Sequence, residues 1–185
     1  MKKSEMDAWR AEALQYFDRA GIVLTEPEKE AVEVTDYDLG QFKDIGLFLL
    51  TYFNTGRSSA RELVLLPGQA CPEHYHPSFQ DEAGPNPGKE ETFRCRLGSV
   101  CLYVEGEPTP NPKCRPPEFH RECFRVAHEI ELKPGDQYTL TPGTKHWFRA
   151  GPEGAVVSEF STRIKDDADV FTDPALTRFS TVEEG

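Results

Sequence analysis

The sequence predicts an all-β fold, a small barrel preceded by a single N-terminal helix. Short apolar runs recur from about residue 40 onward, and Gly/Pro turns punctuate them at Pro67-Gly68, Pro87-Gly88, Pro134-Gly135, Pro142-Gly143 and Gly151-Pro152, while only one segment carries a helical repeat. That segment is about 4–21. Met6, Trp9, Ala13, Phe17 and Ala20 recur at three- and four-residue steps and make one apolar stripe, with Ser4 as the candidate N-cap and Gly21 as the stop. The acidic stretch 25–38 reads as a connector with a short element. Strands are expected over 42–53, 61–66, 90–97, 99–105, 124–132, 137–140, 145–149 and 155–162. Pro108, Pro110, Pro112, Pro116 and Pro117 fall between strands, so 107–118 reads as a loop and not a linker. Residues 163–185 are polar and acidic and are expected to wrap the surface. The whole reads as one domain, 1–185, with the barrel over about 42–162.

The chain has 185 residues, enough for a sizeable core, with 32 acidic and 21 basic side chains and a net charge of −11. That excess argues against nucleic acid or an anionic membrane as partner. No apolar run reaches the ~18 residues that a membrane span needs. Met1-Lys2-Lys3-Ser4-Glu5 has no apolar signal core, so a cytoplasmic protein is expected. Cys71, Cys95, Cys101, Cys114 and Cys123 are odd in number and contain no CxxC, which predicts no disulfide framework. Cys95 and Cys101 read as small buried apolar residues. Cys114 and Cys123, with His120 and His128, form an alternative zinc set of irregular spacing.

A stronger constellation lies elsewhere. His74 and His76 are two apart, and on extended chain they point to one face. Alone, such a pair is as readily two surface or core histidines. The run from Lys89 to Leu97 adds the decisive parity. Glu90, Thr92, Arg94 and Arg96 are polar throughout and should face solvent, so Lys89, Glu91, Phe93, Cys95 and Leu97 should face inward. An unpaired carboxylate in an apolar interior costs several kcal/mol, roughly. A cation shared with the histidine pair removes that cost. His146, on one face with Phe148 after the Pro142-Gly143 turn, is the fourth candidate ligand.

These residues resemble the two-part signature of the cupins. Gly68, His74, His76, Glu91 and Gly98 keep the fixed spacings of the first part, and Gly135 and His146 keep that of the second. The gap from Pro77 to Glu90 is longer than usual and reads as a loop inserted at the barrel mouth, and the proline of Thr141-Pro142-Gly143 is shifted by one position. The resemblance implies a cupin barrel, a double-stranded β-helix or jelly roll, over about 45–160.

Three imidazoles and a carboxylate leave open positions on a six-coordinate ion, and manganese, iron, nickel, cobalt and zinc all suit them. Such an ion orients neighbouring oxygens of a substrate and polarises a carbonyl. Lys89 shares the inward face with Glu91, about 7 Å along the strand toward the mouth; the alternative is a loop lysine turned to solvent. Glu159 shares a parity set with Ala155, Val157 and Ser161, and a mid-strand carboxylate there needs a partner; the alternative is an outward Glu. Ion, carboxylate and lysine together suit aldose–ketose isomerisation through a cis-enediolate, with Glu159 as the base and Lys89 binding substrate oxygens or donating a proton.

The chain further resembles the D-lyxose isomerase branch of the cupins. Lys89-Glu90-Glu91-Thr92-Phe93, Pro142-Gly143-Thr144-Lys145-His146-Trp147-Phe148, Ser158-Glu159-Phe160-Ser161-Thr162-Arg163 and the tail from Asp166 to Pro174 carry that likeness. It implies D-lyxose and D-xylulose as substrate and product, often D-mannose and D-fructose too. It also implies manganese at His74, His76, Glu91 and His146, roles for Lys89 and Glu159, and a sugar contact from Asp166. A homodimer is expected by analogy. Competing readings are a cupin dioxygenase, a non-catalytic sugar-binding cupin, and a sugar-phosphate isomerase; no Gly-rich anion loop supports the last.

Overall fold

Alternation of apolar residues between two faces builds the sheets. The structure, a computed structural model, describes residues 1–81 and 84–183. Its elements run α1 (Lys3–Arg19), α2 (Glu26–Ala31), β1 (Glu33–Thr35), β2 (Leu47–Asn54), β3 (Ser59–Leu65), β4 (Ala70–Tyr75), β5 (Phe79–Asp81), β6 (Gly84–Asn86), β7 (Glu91–Val104), β8 (His128–Leu132), β9 (Gln137–Leu140), β10 (His146–Ser161) and β11 (Val170–Phe171). The expected helix forms, and Ala13, Tyr16 and Phe17 are its buried residues. It begins one residue earlier than expected. Ser4 lies inside it, and the Glu5 carboxylate accepts from the Lys2 N–H at 3.1 Å in place of a serine cap. The last turn closes on Gly21, whose N–H donates to Asp18 O at 3.0 Å.

β7 and β10 are longer than the sequence suggested. Each joins two expected strands into one, and each serves both halves of the barrel. In the first half the order is β11, β4, the start of β10, the end of β7, then β8. In the second it is β1, β2, β3, the end of β10, the start of β7, then β9. Gly98 and Gly154 mark the crossing. Both have positive φ (+69° and +76°), and a Cβ on Gly98 would collide with the Gly154 carbonyl oxygen. The Gly151-Pro152 signal is therefore a bulge within β10, where the register shifts between Ala150 and Ala155, and not the end of a strand.

The two faces make two cores. Leu47, Leu49, Leu63, Leu65, Phe93, Val157 and Phe148 fill the barrel. Phe48, Leu50, Val64 and Val156 point the other way and pack under α1. The expected inward set from Lys89 to Cys95 is buried, but Leu97 departs from it. Leu97 packs against the outer core, because a register shift between Val156 and Val157 reverses the parity there.

Two further expectations change. Cys101 and Cys114, 13 residues apart in sequence, are disulfide-bonded with Cα atoms 6.3 Å apart. Cys101 is buried on β7 and Cys114 lies on the proline-rich loop, so the bond fastens loop to sheet. Cys71, Cys95 and Cys123 are free and buried. This removes the alternative zinc set: His120 Nδ1 lies 2.5 Å from Asp173, and His128 Nδ1 lies 3.0 Å from Glu107 O. The expected surface tail also does more than wrap. β11 pairs with β4 and extends the sheet, placing Phe171 beside His74. Glu184 and Gly185, the end of that tail, and Glu82 and Ala83 in the inserted loop lie outside the described residues. None of the described helices is long and apolar enough to cross a membrane.

Candidate metal centre and active site

Neighbouring strands bring the histidines together. His146 opens β10 directly opposite His74 of β4, and His76 follows just past the end of β4. The three rings offer ligand atoms that all lie within 4.8 Å of one another, and all three are buried. Glu91 opens β7 in the other half of the barrel and is 1 % exposed. Its Oε1 lies 3.0 Å from His76 Nε2 and 3.2 Å from His146 Nε2.

The other ring nitrogens are already committed. His74 Nδ1 is 2.8 Å from Pro72 O, His146 Nδ1 is 2.9 Å from Thr144 O, and His76 Nδ1 is 2.5 Å from Asp169 Oδ1. Each acceptor calls for a proton on Nδ1 and leaves the Nε2 lone pair toward the centre, the tautomer that a metal-binding imidazole needs. His146 Nε2 is buried and lies 3.2 Å from Glu91 Oε1, but with its proton on Nδ1 it meets that oxygen as lone pair against lone pair, without a hydrogen bond. An orphaned buried nitrogen is costly, and a cation there would satisfy it. Three neutral imidazoles and one carboxylate thus fit a divalent ion such as those above.

The charge pattern agrees. Burial, then His146 and His76, push the His74 pKa well below the usual imidazole value. Burial acts the same way on His76, but Glu91 overrides it and its pKa rises to about 9, so His76 is neutral only once a cation displaces the proton on its Nε2. Burial would raise the Glu91 carboxyl, yet Lys89 and His76 outweigh it and hold Glu91 well below the carboxylate range. The site is thus built to hold positive charge beside Glu91.

Lys89 and Glu159 join this cluster as the parity argument expects. Lys89 is 7 % exposed, and its Nζ lies 2.6 Å from Glu91 Oε2 and 3.1 Å from Glu159 Oε1. Burial opposes its charge, but Glu159 and Glu91 overcome that and hold its pKa above the usual lysine value. Glu159 is 4 % exposed on β10, while its neighbour Phe160 faces outward. Both side chains line a narrow cavity of about 30 Å³ shared with His74, His76 and Glu91.

Asp166 also lines this cavity, but both its oxygens are engaged. Arg61 reaches them with Nη1 at 3.0 Å and Nη2 at 2.5 Å, and Arg178 Nη2 lies at 3.1 Å. Arg61, Arg178, Asp169 and Phe171 line the same cavity and were not singled out in the sequence. Arg61 was within reach: it shares the inward parity of Leu63 and Leu65 on β3, the test that selects Glu91. Arg178, Asp169 and Phe171 sit in an irregular tail with no periodicity to read.

The chain is similar to known proteins in sequence and in fold. A profile described as D-lyxose isomerase matches residues 119–185. The chain is 51 % identical over 184 residues to the D-lyxose/D-mannose isomerase of Thermosediminibacter oceani, covering 100 % of this chain and 99 % of that one. It is 50 % identical over 183 residues to the D-lyxose ketol-isomerase of Cohnella laeviribosi, covering 99 % and 98 %. Among solved structures, the L-ribose isomerase of Acinetobacter sp. DL28 in complex with L-ribose superposes with a TM-score of 0.80 at 16 % identity, over 99 % of this chain and 98 % of that chain. That likeness supports the cupin barrel as the fold. On the strength of the full-length relatives, the chain belongs to the D-lyxose isomerase family of aldose–ketose sugar isomerases.

Proposed function

We propose that this chain, acting as one domain over 1–185, interconverts D-lyxose and D-xylulose, and also D-mannose and D-fructose. A divalent ion, manganese by preference over cobalt, iron, nickel or zinc, would be held by His74, His76, Glu91 and His146. When bound, it would polarise the sugar carbonyl and hold an adjacent hydroxyl. The observation that carries the reading is the buried Glu91–Lys89–Glu159 chain of contacts inside the cavity.

Glu159 is the base in this scheme. Its carboxylate takes the proton from the carbon beside the carbonyl and returns it to the former carbonyl carbon by way of a cis-enediolate, while the proton of the adjacent hydroxyl passes to the former carbonyl oxygen. Lys89 sits against Glu159, fixes that carboxylate in place, and offers N–H donors to the oxygen on which charge develops. Asp166 serves the sugar indirectly, by holding Arg61 and Arg178 at the cavity wall. A dioxygenase or a purely sugar-binding role leaves the Lys89–Glu159 pair without a task.

Protein loaded with Mn2+ is expected to convert D-lyxose to D-xylulose, and chelation is expected to stop it. A panel of pentoses and hexoses, read by ketose formation, tests this; no turnover of any free aldose would sink it. The working form is proposed to be a cytoplasmic homodimer, which sedimentation checks by a mass twice that of the chain.

A further inference from the structure

The three histidines are oriented in two different ways. His74 and His146 each hold their Nδ1 against a backbone carbonyl two residues earlier, at Pro72 and Thr144. Their orientation is local to their own strands. His76 has left β4, and no carbonyl of its own strand takes its ring. Its Nδ1 instead meets Asp169, 93 residues further along the chain, at 2.5 Å.

Asp169 is itself fixed on both sides. Before it, Asp166 is clamped by Arg61 and Arg178. After it, β11 pairs with β4, with Val170 opposite Tyr75 and Phe171 opposite His74. Thr172 then ties the segment to Glu73, with Oγ1 donating to Oε1 at 2.7 Å. The carboxylate is thereby held at the one ligand ring that lacks local support. A carboxylate acceptor raises the basicity of an imidazole more than a carbonyl does, and fixes its tautomer and tilt.

We propose that Asp169 is a positioning residue for the ligand His76, and that through it the docked C-terminal segment sets the affinity of the site for its cation. The proposal rests on the metal reading given above. Its test is calorimetric titration of Mn2+ alone into metal-stripped full-length protein. Asp169→Ala is expected to weaken binding by about 10–100-fold. Asp169→Asn keeps an acceptor oxygen but no charge, and its loss is expected to be smaller, with metal-free melting close to that of the parent. Thr172→Ala removes one tie but leaves the β11 pairing and the Asp166 clamp that keep Asp169 docked, and it is expected to keep the parent affinity within about 3-fold. Parent-like binding by both Asp169 variants overturns the proposal, as does a Thr172→Ala loss equal to that of Asp169→Ala. If Asp169→Ala does not fold, the Asn variant decides by the same criterion. If the parent takes up no Mn2+, the metal reading itself fails and this proposal falls with it, whereas parent binding with unaffected variants overturns only the role of Asp169.

Discussion

Glu91 and Glu159 are both buried carboxylates against Lys89, but their surroundings divide their tasks. Glu91 has two imidazole nitrogens close to one oxygen and the ammonium on the other. Among the described residues Glu159 is ion-paired with that ammonium alone, at 3.1 Å, and so keeps the freer oxygen for chemistry. Glu159→Gln is accordingly expected to lower kcat by about 10²–10⁴-fold while Mn2+ affinity stays near that of the parent. Steady-state kinetics beside a metal titration separate the two effects, and retained turnover would remove Glu159 from the role of base. At this scale the sequence was informative wherever a regular strand surrounded the residue. Parity distinguishes Glu91 from Glu90 and places Glu159 in one set with Ala155 and Val157, with an outward Glu as the alternative. It had no purchase on Asp169, whose environment is made by a distant segment.

The strand elements show where such reading stops. The turn signals at Gly98 and Gly151-Pro152 suggested four strands where two long ones exist, because a glycine that ends a strand and one that lets it bend look alike in a sequence. Only the partner strand distinguishes them, here through the mutual approach of Gly98 and Gly154. The same bend explains Leu97: a bulge inverts every side chain beyond it. Gly98→Ala would combine an unfavourable left-handed conformation with a clash against the Gly154 carbonyl. A loss of about 2 kcal/mol or more is expected, read as a lower denaturant midpoint. An unchanged midpoint would mean that the two strands do not cross as closely as described.

At the scale of the molecule, fold class and helix were legible, since they rest on patterns repeated along the chain. The disulfide was not, because cysteine counting cannot see that the proline-rich loop folds back over β7. Denatured protein without reductant is expected to titrate three thiols, those of Cys71, Cys95 and Cys123, against five after reduction. Five thiols without reductant would rule the bond out. Closing a loop of this length stabilises by about 2–3 kcal/mol, so reduction should lower the melting temperature. Such a bond is unusual in a reducing compartment, and the thiol count therefore also bears on where the protein works.

β7 and β10 each run through both halves of the barrel. The two halves are therefore joined covalently through both strands, across the bulge between Ala150 and Ala155. The barrel's pairings are mostly distant in sequence, which makes for slow folding and for loss of structure in a single step. An ion gripped by His74 and His146 from one half and Glu91 from the other would then rivet the entire barrel. Its binding energy, about 2.7 kcal/mol at a hundred times Kd, would be felt as resistance to unfolding in every strand and not only at the site.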